Sequence, residues 1–543
     1  MSARRLVALL ALVLAASLLA PPSIAASGRD LVRAACGLPH QWLLRTWRGW
    51  WPDRSGNLQI VPLQPNFVGS GLPHVGPWPY VQDVPMLWYG PGHIRAQGSV
   101  ARPVTTVGIA PTQAVLLDQP FQAPDGQPMQ EAIVPDAGSP PRLIVTIVWD
   151  AAGRNVLDAH PDAWPFLASL IDKGTWYEDM TVGSSPTSTA QIHANMGTGA
   201  FPNHHGLVGH RLDVGGRLAG PWAHGPNLIL TPMLADVYDA ARGNRPLVGL
   251  TGTVNIHFGM MSHGSFFAGG DRDIAMTRSV VDGKTLTDEG FEWNLPATSR
   301  PYYRLPPYLA EVPGFEDDVR AIDAEDGRID GRWRDNEIEQ LLGGFDTPAR
   351  IPYQQRVLET LVEQEGFGAD EVPDLLFANF KQIDYISHVW TMNSPEMRDA
   401  VEWQDAALRD LVRFLNRQVG RGEWVLALTA DHGAIPDPAV SGAFSISTSA
   451  IASGINAAFD ADGDDRPVVR LIQPTQIYLD EAELEEKGHT LEDIARWVTG
   501  LTKADTAPSG VTVPASASGD LVFEAAFPSS LMRDLPCLPE ARS

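Results

Sequence analysis

The sequence predicts an α/β protein: a doubly wound, mostly parallel sheet with helices on both faces and an inserted cap region. Three observations carry this. RLIVTIVWD (142–150), DLLFANF (374–380) and EWVLALTADHG (423–433) are apolar runs of the kind seen in strands buried on both faces. Stretches with helical patterning separate them, so strand and helix alternate. Two of the runs end in Asp150 and Asp431, at the edge where open parallel sheets bind ligands.

The 543 residues, 44% apolar, suffice for one large α/β domain with an insertion, or for two to four domains. A net charge of −25 argues against nonspecific binding of nucleic acid or anionic lipid, and no nucleic-acid groove is expected. Residues 1–25 read as a secretory signal: Arg4-Arg5 precede LVALLALVLAASLLA, and Ser23-Ile24-Ala25 suit cleavage. The mature chain is then expected outside the cytoplasm, without a transmembrane span. Residues 26–56 read as a helix and a turn rich in tryptophan (Trp42, Trp47, Trp50, Trp51) that packs on the main domain. Within 57–118, NLQIVPLQPNFV alternates like a strand and VTTVGIAPTQAVLLD reads as a helix; 119–141, rich in Pro, Gly and Gln, reads as a linker.

The main domain is assigned to 142–543. AWPFLASLIDKG, Gln354–Gly366 and Ser394–Gly420 read as helices, and RPLVGLTGT (245–253) as a further core strand. The irregular stretch around 254–352 reads as an insertion or cap; its His257 and His263 are possible ligands, but they lack carboxylate neighbours in sequence and read rather as structural. FDADGDDRP has neither the glycine nor the closing glutamate of an EF-hand and reads as a solvated hairpin tip. Nothing in the sequence sets the oligomeric state.

The chemistry centres on GSSPTSTAQIHANMGTGAFPNHHG (183–206), a loop running into a helix that opens near Ser188 and Thr189 and closes at Gly197 to Gly199. A hydroxyl in that first turn faces free backbone N–H groups and the positive end of the helix dipole. An ordinary N-cap fits this window too. The dipole contributes about 2 kcal/mol at best, whereas moving a pKa from 15.7 to about 7, as zinc does for water, needs roughly 12 kcal/mol. A nucleophilic Thr189 therefore requires metal. Candidate ligands exist: Asp384 and His388 are four apart, Asp431 and His432 are adjacent, and both pairs follow expected strands, as Asp150 does.

This order of motifs resembles the alkaline phosphatase superfamily, and within it the type I phosphodiesterase and nucleotide pyrophosphatase branch. The motifs stand here as Asp150, Thr189, Thr198-Gly199, His205-Gly206, Asp384 to His388 and Asp431-His432-Gly433. The branch needs one more histidine ligand, in a GxHG segment followed by a VPLLFYGPG-like strand and a DIAPT-like helix. Here that segment matches LPHVGPWPYVQDVPMLWYGPG, with His74, and GIAPTQAVLLD near the amino terminus, so the chain resembles a circularly permuted member. GIAPT carries Gly108 where the branch usually has Asp. Cys36 and Cys537 would then flank the cut, and in an oxidising compartment the pair suggests a disulfide that would tie the new ends, with two free thiols as the alternative.

The resemblance implies two divalent ions, zinc by ligand type, with manganese or iron also compatible. Asp384, His388 and His74 would hold one; Asp150, Asp431 and His432 would hold the other, with Thr189 bound to it. It further implies hydrolysis of a small phosphate ester or nucleotide-like substrate through phosphothreonine, with phosphodiester or pyrophosphate cleavage first and phosphomonoester hydrolysis or a non-catalytic exported binding protein as alternatives. His210 stands where the branch has a phosphate-binding Asn. Imidazole also donates a hydrogen bond there, with an altered substrate preference.

Overall fold

The computed structural model describes residues 28–135, 137–278, 293–338, 347–460 and 466–542. The expected signal segment and residues 461–465 of the acidic hairpin tip lie outside them. The strands of the two main sheets are, in chain order, β1 (Leu58–Pro62), β2 (Met86–Tyr89), β3 (Gly98–Val100), β4 (Leu143–Trp149), β5 (Thr175–Tyr177), β6 (Val248–Thr251), β7 (Asp273–Arg278), β8 (Trp293–Asn294), β9 (Tyr303–Arg304), β10 (Asp374–Phe380), β11 (Trp424–Thr429), β12 (Val469–Gln473), β13 (Gln476–Leu479) and β14 (Phe523–Pro528). The helices used below are α1 (Ile109–Leu116), α2 (Pro165–Ile171), α3 (Thr189–Thr198), α4 (Arg350–Glu365), α5 (Gln382–Val389) and α6 (Pro395–Leu415).

The large sheet has the order β8-β7-β6-β10-β4-β11-β2-β5-β3, with β9 beside β7. β7, β6, β10, β4 and β11 run parallel, and β2 runs against both β11 and β5. β4, β10 and β11 are buried at every position, which explains their continuous apolar runs. Each fully buried Leu, Ile, Val or Phe contributes about 1.5–3 kcal/mol. One helix group forms around α3 and α1, another around α6, α4, α2 and α5. The stretch read as a cap lends the sheet β7, β8 and β9. Short strands carrying Asp, Arg and Asn give no apolar run, so sequence periodicity passed over them.

Register positions the chemistry. Phe380 lies opposite Trp149, and Thr429 opposite Val148, so three adjacent parallel strands end at one level. The Asp150 amide donates to the Phe380 carbonyl at 3.0 Å, continuing the ladder one step and setting Lys381 beside Asp150. α3 follows Ser188, whose backbone is extended, and closes on Gly199 at φ 65°.

A second core lies under a four-stranded antiparallel sheet, β12-β13-β1-β14, assembled from both ends of the chain. β1 pairs with β13 on one side and β14 on the other. Cys36 and Cys537, 501 residues apart, form a disulfide beside it. The helices at Arg29–Gly37 and His40–Arg48 tie this unit to the large one: Arg45 donates to the Pro77 carbonyl at 2.7 Å, and the Arg48 guanidinium lies 4.3 Å over the Phe201 ring. The 119–141 stretch is packed as well, with Met129 and Ala132 fully buried and the Gly126 amide donating to Gly199 at 2.9 Å. Among the described residues, no helix is long and apolar enough to cross a membrane.

Candidate active site

The carboxyl ends of β4, β10 and β11 bring together Asp150, Asp384 and Asp431, each at most 1% exposed. Asp431 is steadied by the Ala151 amide, which donates to its Oδ1 at 3.1 Å. The turn after it requires Gly433, because a Cβ there would stand 2.1 Å from the Tyr80 carbonyl oxygen. His432 is therefore held at the floor of the site, fully buried.

Three imidazoles share one arrangement. His74 Nδ1 faces the Thr187 carbonyl at 3.4 Å, His432 Nδ1 faces the Gly433 carbonyl at 3.1 Å, and His388 Nδ1 is paired with the Gly71 carbonyl. In a neutral ring a backbone acceptor at Nδ1 leaves the lone pair on Nε2, the form that ligates metal, although at His388 the Asp384 carboxylate outweighs burial and raises the pKa to about 9. Each Nε2 then faces carboxylate oxygens. His74 and His388 reach Asp384 Oδ1 at 3.1 and 3.4 Å, while His432 reaches Asp431 Oδ2 at 3.2 Å and Asp150 Oδ1 at 3.6 Å. Ligands about 2.0–2.1 Å from one tetrahedral ion stand about 3.3 Å apart; Asp150, Asp431 and His432 converge within 4.8 Å of one another, and so do His74, Asp384 and His432, whereas His388 joins the second cluster only through its contact with Asp384. The atoms aimed inward, Asp384 Oδ1, Asp431 Oδ2 and His432 Nε2, are buried without a hydrogen-bond partner. Such orphans cost about 1–3 kcal/mol each, and a cation would satisfy them. The residues present fit divalent ions. Burial, with His432 next, lowers the His74 pKa to about 4, which keeps that ring neutral and able to ligate.

The loop read as the centre of the sequence positions His74 directly. Thr187 Oγ1 donates to the His74 carbonyl at 2.7 Å and accepts from the Gly76 amide at 3.1 Å. His74 also stacks on His432, with ring centroids 3.5 Å apart. Thr189, at the first turn of α3 and 2% exposed, presents Oγ1 to the Lys381 ammonium at 3.4 Å. The TG and HG motifs are architectural. Gly199 admits no Cβ, since Ala123 Cβ would lie 2.6 Å away, and His205 pairs with the Asn195 amide at 2.9 Å. His210 is solvent-accessible in a recess of about 500 Å³ that also involves Trp222, Asn255, Ile256 and Thr298.

Sequence reasoning missed Lys381 and His193 and set His257 aside. Lys381 donates to Asp150 Oδ1 at 2.9 Å and Asp384 Oδ2 at 2.7 Å. His193, one helical turn after Thr189, donates from Nδ1 to the Thr189 carbonyl at 2.8 Å, and its Nε2 accepts from the Asn379 side-chain amide at 2.9 Å. His257, read as structural, instead lies 3.5 Å from Asp150 Oδ2, fully buried and with both ring nitrogens unpartnered; burial, with His193 contributing, keeps its pKa at about 4. Its carboxylate neighbour is distant in sequence, which is why no local signal marked it. His263 is structural as read, held at Nδ1 by Asp236 at 2.6 Å.

Over 190 residues the chain is 25% identical to alkaline phosphatase PafA of Elizabethkingia meningoseptica, covering 34% of each chain. Over 344 residues it is 22% identical to a calcium-transporting ATPase of Myroides odoratus, covering 55% of this chain and 61% of that one. The chain thus spans between about a third and three-fifths of the length of these relatives. The crystal structure of wild-type PafA aligns with TM-score 0.49 at 16% identity, over 71% of this chain and 84% of that one. The sequence model of type I phosphodiesterase / nucleotide pyrophosphatase matches residues 144–528, a span that carries Asp150, Thr189, Asp384, His388, Asp431 and His432, and the chain belongs to that family.

Proposed function

We propose that the protein is an exported, metal-dependent hydrolase of phosphoric esters, with phosphodiesters or nucleotide-like pyrophosphates as its substrates and Thr189 as its nucleophile. One observation carries the reading: the inward-facing, orphaned ligand atoms of Asp384, Asp431 and His432 converge beside a helix-start hydroxyl. His74, Asp384 and His388 would hold one divalent ion, and Asp150, Asp431 and His432 the other, with zinc favoured by the mixed His/Asp donors. Such ions supply Lewis-acid charge that lowers a hydroxyl pKa and stabilises an entering and a leaving oxygen.

The residues do the rest. α3 aims Thr189 Oγ1 from the positive end of its dipole, and its attack on phosphorus expels the ester oxygen and leaves a phosphothreonine that water hydrolyses. His74 and His432, stacked, wall the site on one side. His210 at the recess mouth would donate to a phosphoryl oxygen in place of the branch's Asn. The Cys36–Cys537 disulfide supports export to an oxidising compartment. The family match begins only at residue 144, although His74 lies before it, and the two chain ends pair through β1 and β14; both support the permuted order.

The phosphomonoesterase reading has one kind of support, two relatives named as alkaline phosphatases. Turnover of bis(4-nitrophenyl) phosphate against 4-nitrophenyl phosphate separates the two. Thr189→Ala should lower turnover by at least about 10³-fold while the protein stays folded, since a covalent step loses its nucleophile. Wild-type protein that hydrolyses neither ester would identify a non-catalytic scaffold.

A further inference from the structure

We propose that Lys381 is a catalytic residue of the reaction read above: its ammonium is a fixed cation that contacts Thr189 Oγ1 and the phosphoryl group arriving there, and it tunes the centre toward monoanionic diesters. The inference rests on the hydrolase reading and goes beyond it, because neither the family motifs nor the ligand pairs include this residue.

An ammonium has three N–H donors and no acceptor. Two are committed, to Asp150 Oδ1 at 2.9 Å and Asp384 Oδ2 at 2.7 Å, one carboxylate from each cation triad. The third faces Thr189 Oγ1 at 3.4 Å, so a phosphoryl oxygen on that hydroxyl enters the reach of the same N–H. The position is not a snorkelling accident. Lys381 is 6% exposed, and strand register fixes it, since the Asp150 amide bonds to the Phe380 carbonyl immediately before it.

Charge counting gives the specificity. With two divalent ions held, three carboxylates and a Thr189 alkoxide would cancel their charge, and the ammonium would leave a single positive charge. One diester monoanion neutralises it, whereas a monoester dianion overshoots. A buried lysine that merely filled the place of a metal would differ in what its removal does: the cavity would then take up an ion.

The test uses full-length protein with Lys381→Gln and Lys381→Arg, reading bound metal by inductively coupled plasma mass spectrometry beside kcat and KM. For Lys381→Gln the expected result is wild-type metal content, a fall in kcat for bis(4-nitrophenyl) phosphate of about 10²-fold or more, as for loss of a preorganised donor, and a smaller fall for 4-nitrophenyl phosphate. Should Lys381→Gln fail to fold, Lys381→Arg, which keeps the charge but shifts the donors, is expected to keep the metal and lose at least about tenfold in kcat on the diester. Undiminished kcat in the variant that folds, or an extra metal equivalent with retained turnover, overturns the proposal. Wild-type protein without turnover of either ester overturns the hydrolase reading instead.

Discussion

The two sheets solve different problems with the same chain. In the large sheet, parallel strands buried on both faces spend their side chains on packing, and the residues of the proposed site lie at one edge, where Asp150, Lys381 and Asp431 emerge from neighbouring strands. In the small sheet, antiparallel strands from the front and rear of the chain meet, β1 between β13 and β14, and the disulfide closes the seam. One is a platform for chemistry and the other is a clasp. His74 is where they connect: it sits between the clasp strand β1 and the platform strand β2, and it faces Asp384 at the platform's edge.

If that division is right, damage to each region should show a different signature. The largest effect belongs to the connection. His74→Ala should cut turnover of bis(4-nitrophenyl) phosphate by about 10³-fold, about 4 kcal/mol of transition-state stabilisation, while the urea midpoint of metal-free protein barely moves. Next comes the clasp. Cys36→Ser opens a loop of 501 residues, for which chain entropy sets a ceiling of roughly 6 kcal/mol and measured disulfides typically give about 2–4. Its expected signature is a lower unfolding midpoint with kcat intact at a temperature where the protein is folded. The smallest lies deep in the platform. Asp405 on α6 accepts the Phe166 and Leu167 amides of α2, each at 2.8 Å, and Asp405→Ala should cost about 1–3 kcal/mol of stability by orphaning both donors. A large kcat change in Cys36→Ser at permissive temperature would erase the distinction between platform and clasp.

The platform was far more legible than the clasp. DLLFANF reads as a strand and is β10 residue for residue, because a strand buried on both faces leaves an unbroken apolar signature. α3 was bounded by its own chemistry, Ser188 before it and Gly199 after it. The edge residues Asp150, Asp384, His388, Asp431 and His432 stood out because strand-end position and short spacing both marked them, and His74 because of a family resemblance rather than a local pattern. What stayed hidden depends on register between distant strands. Nothing around Lys381 announces that the neighbouring strand ends in Asp150, and nothing around His257 announces the same carboxylate. The strands Asp273–Arg278, Trp293–Asn294 and Tyr303–Arg304 were missed because polar edge strands lack the apolar run that betrays a central one.

The most direct measurement is the metal content of purified full-length protein, wild type against His74→Ala, after dialysis with zinc. Two equivalents in the wild type and one in the variant would place an imidazole from the front of the chain and carboxylates from its rear half around one ion. Equal occupancy in the two proteins would contradict it.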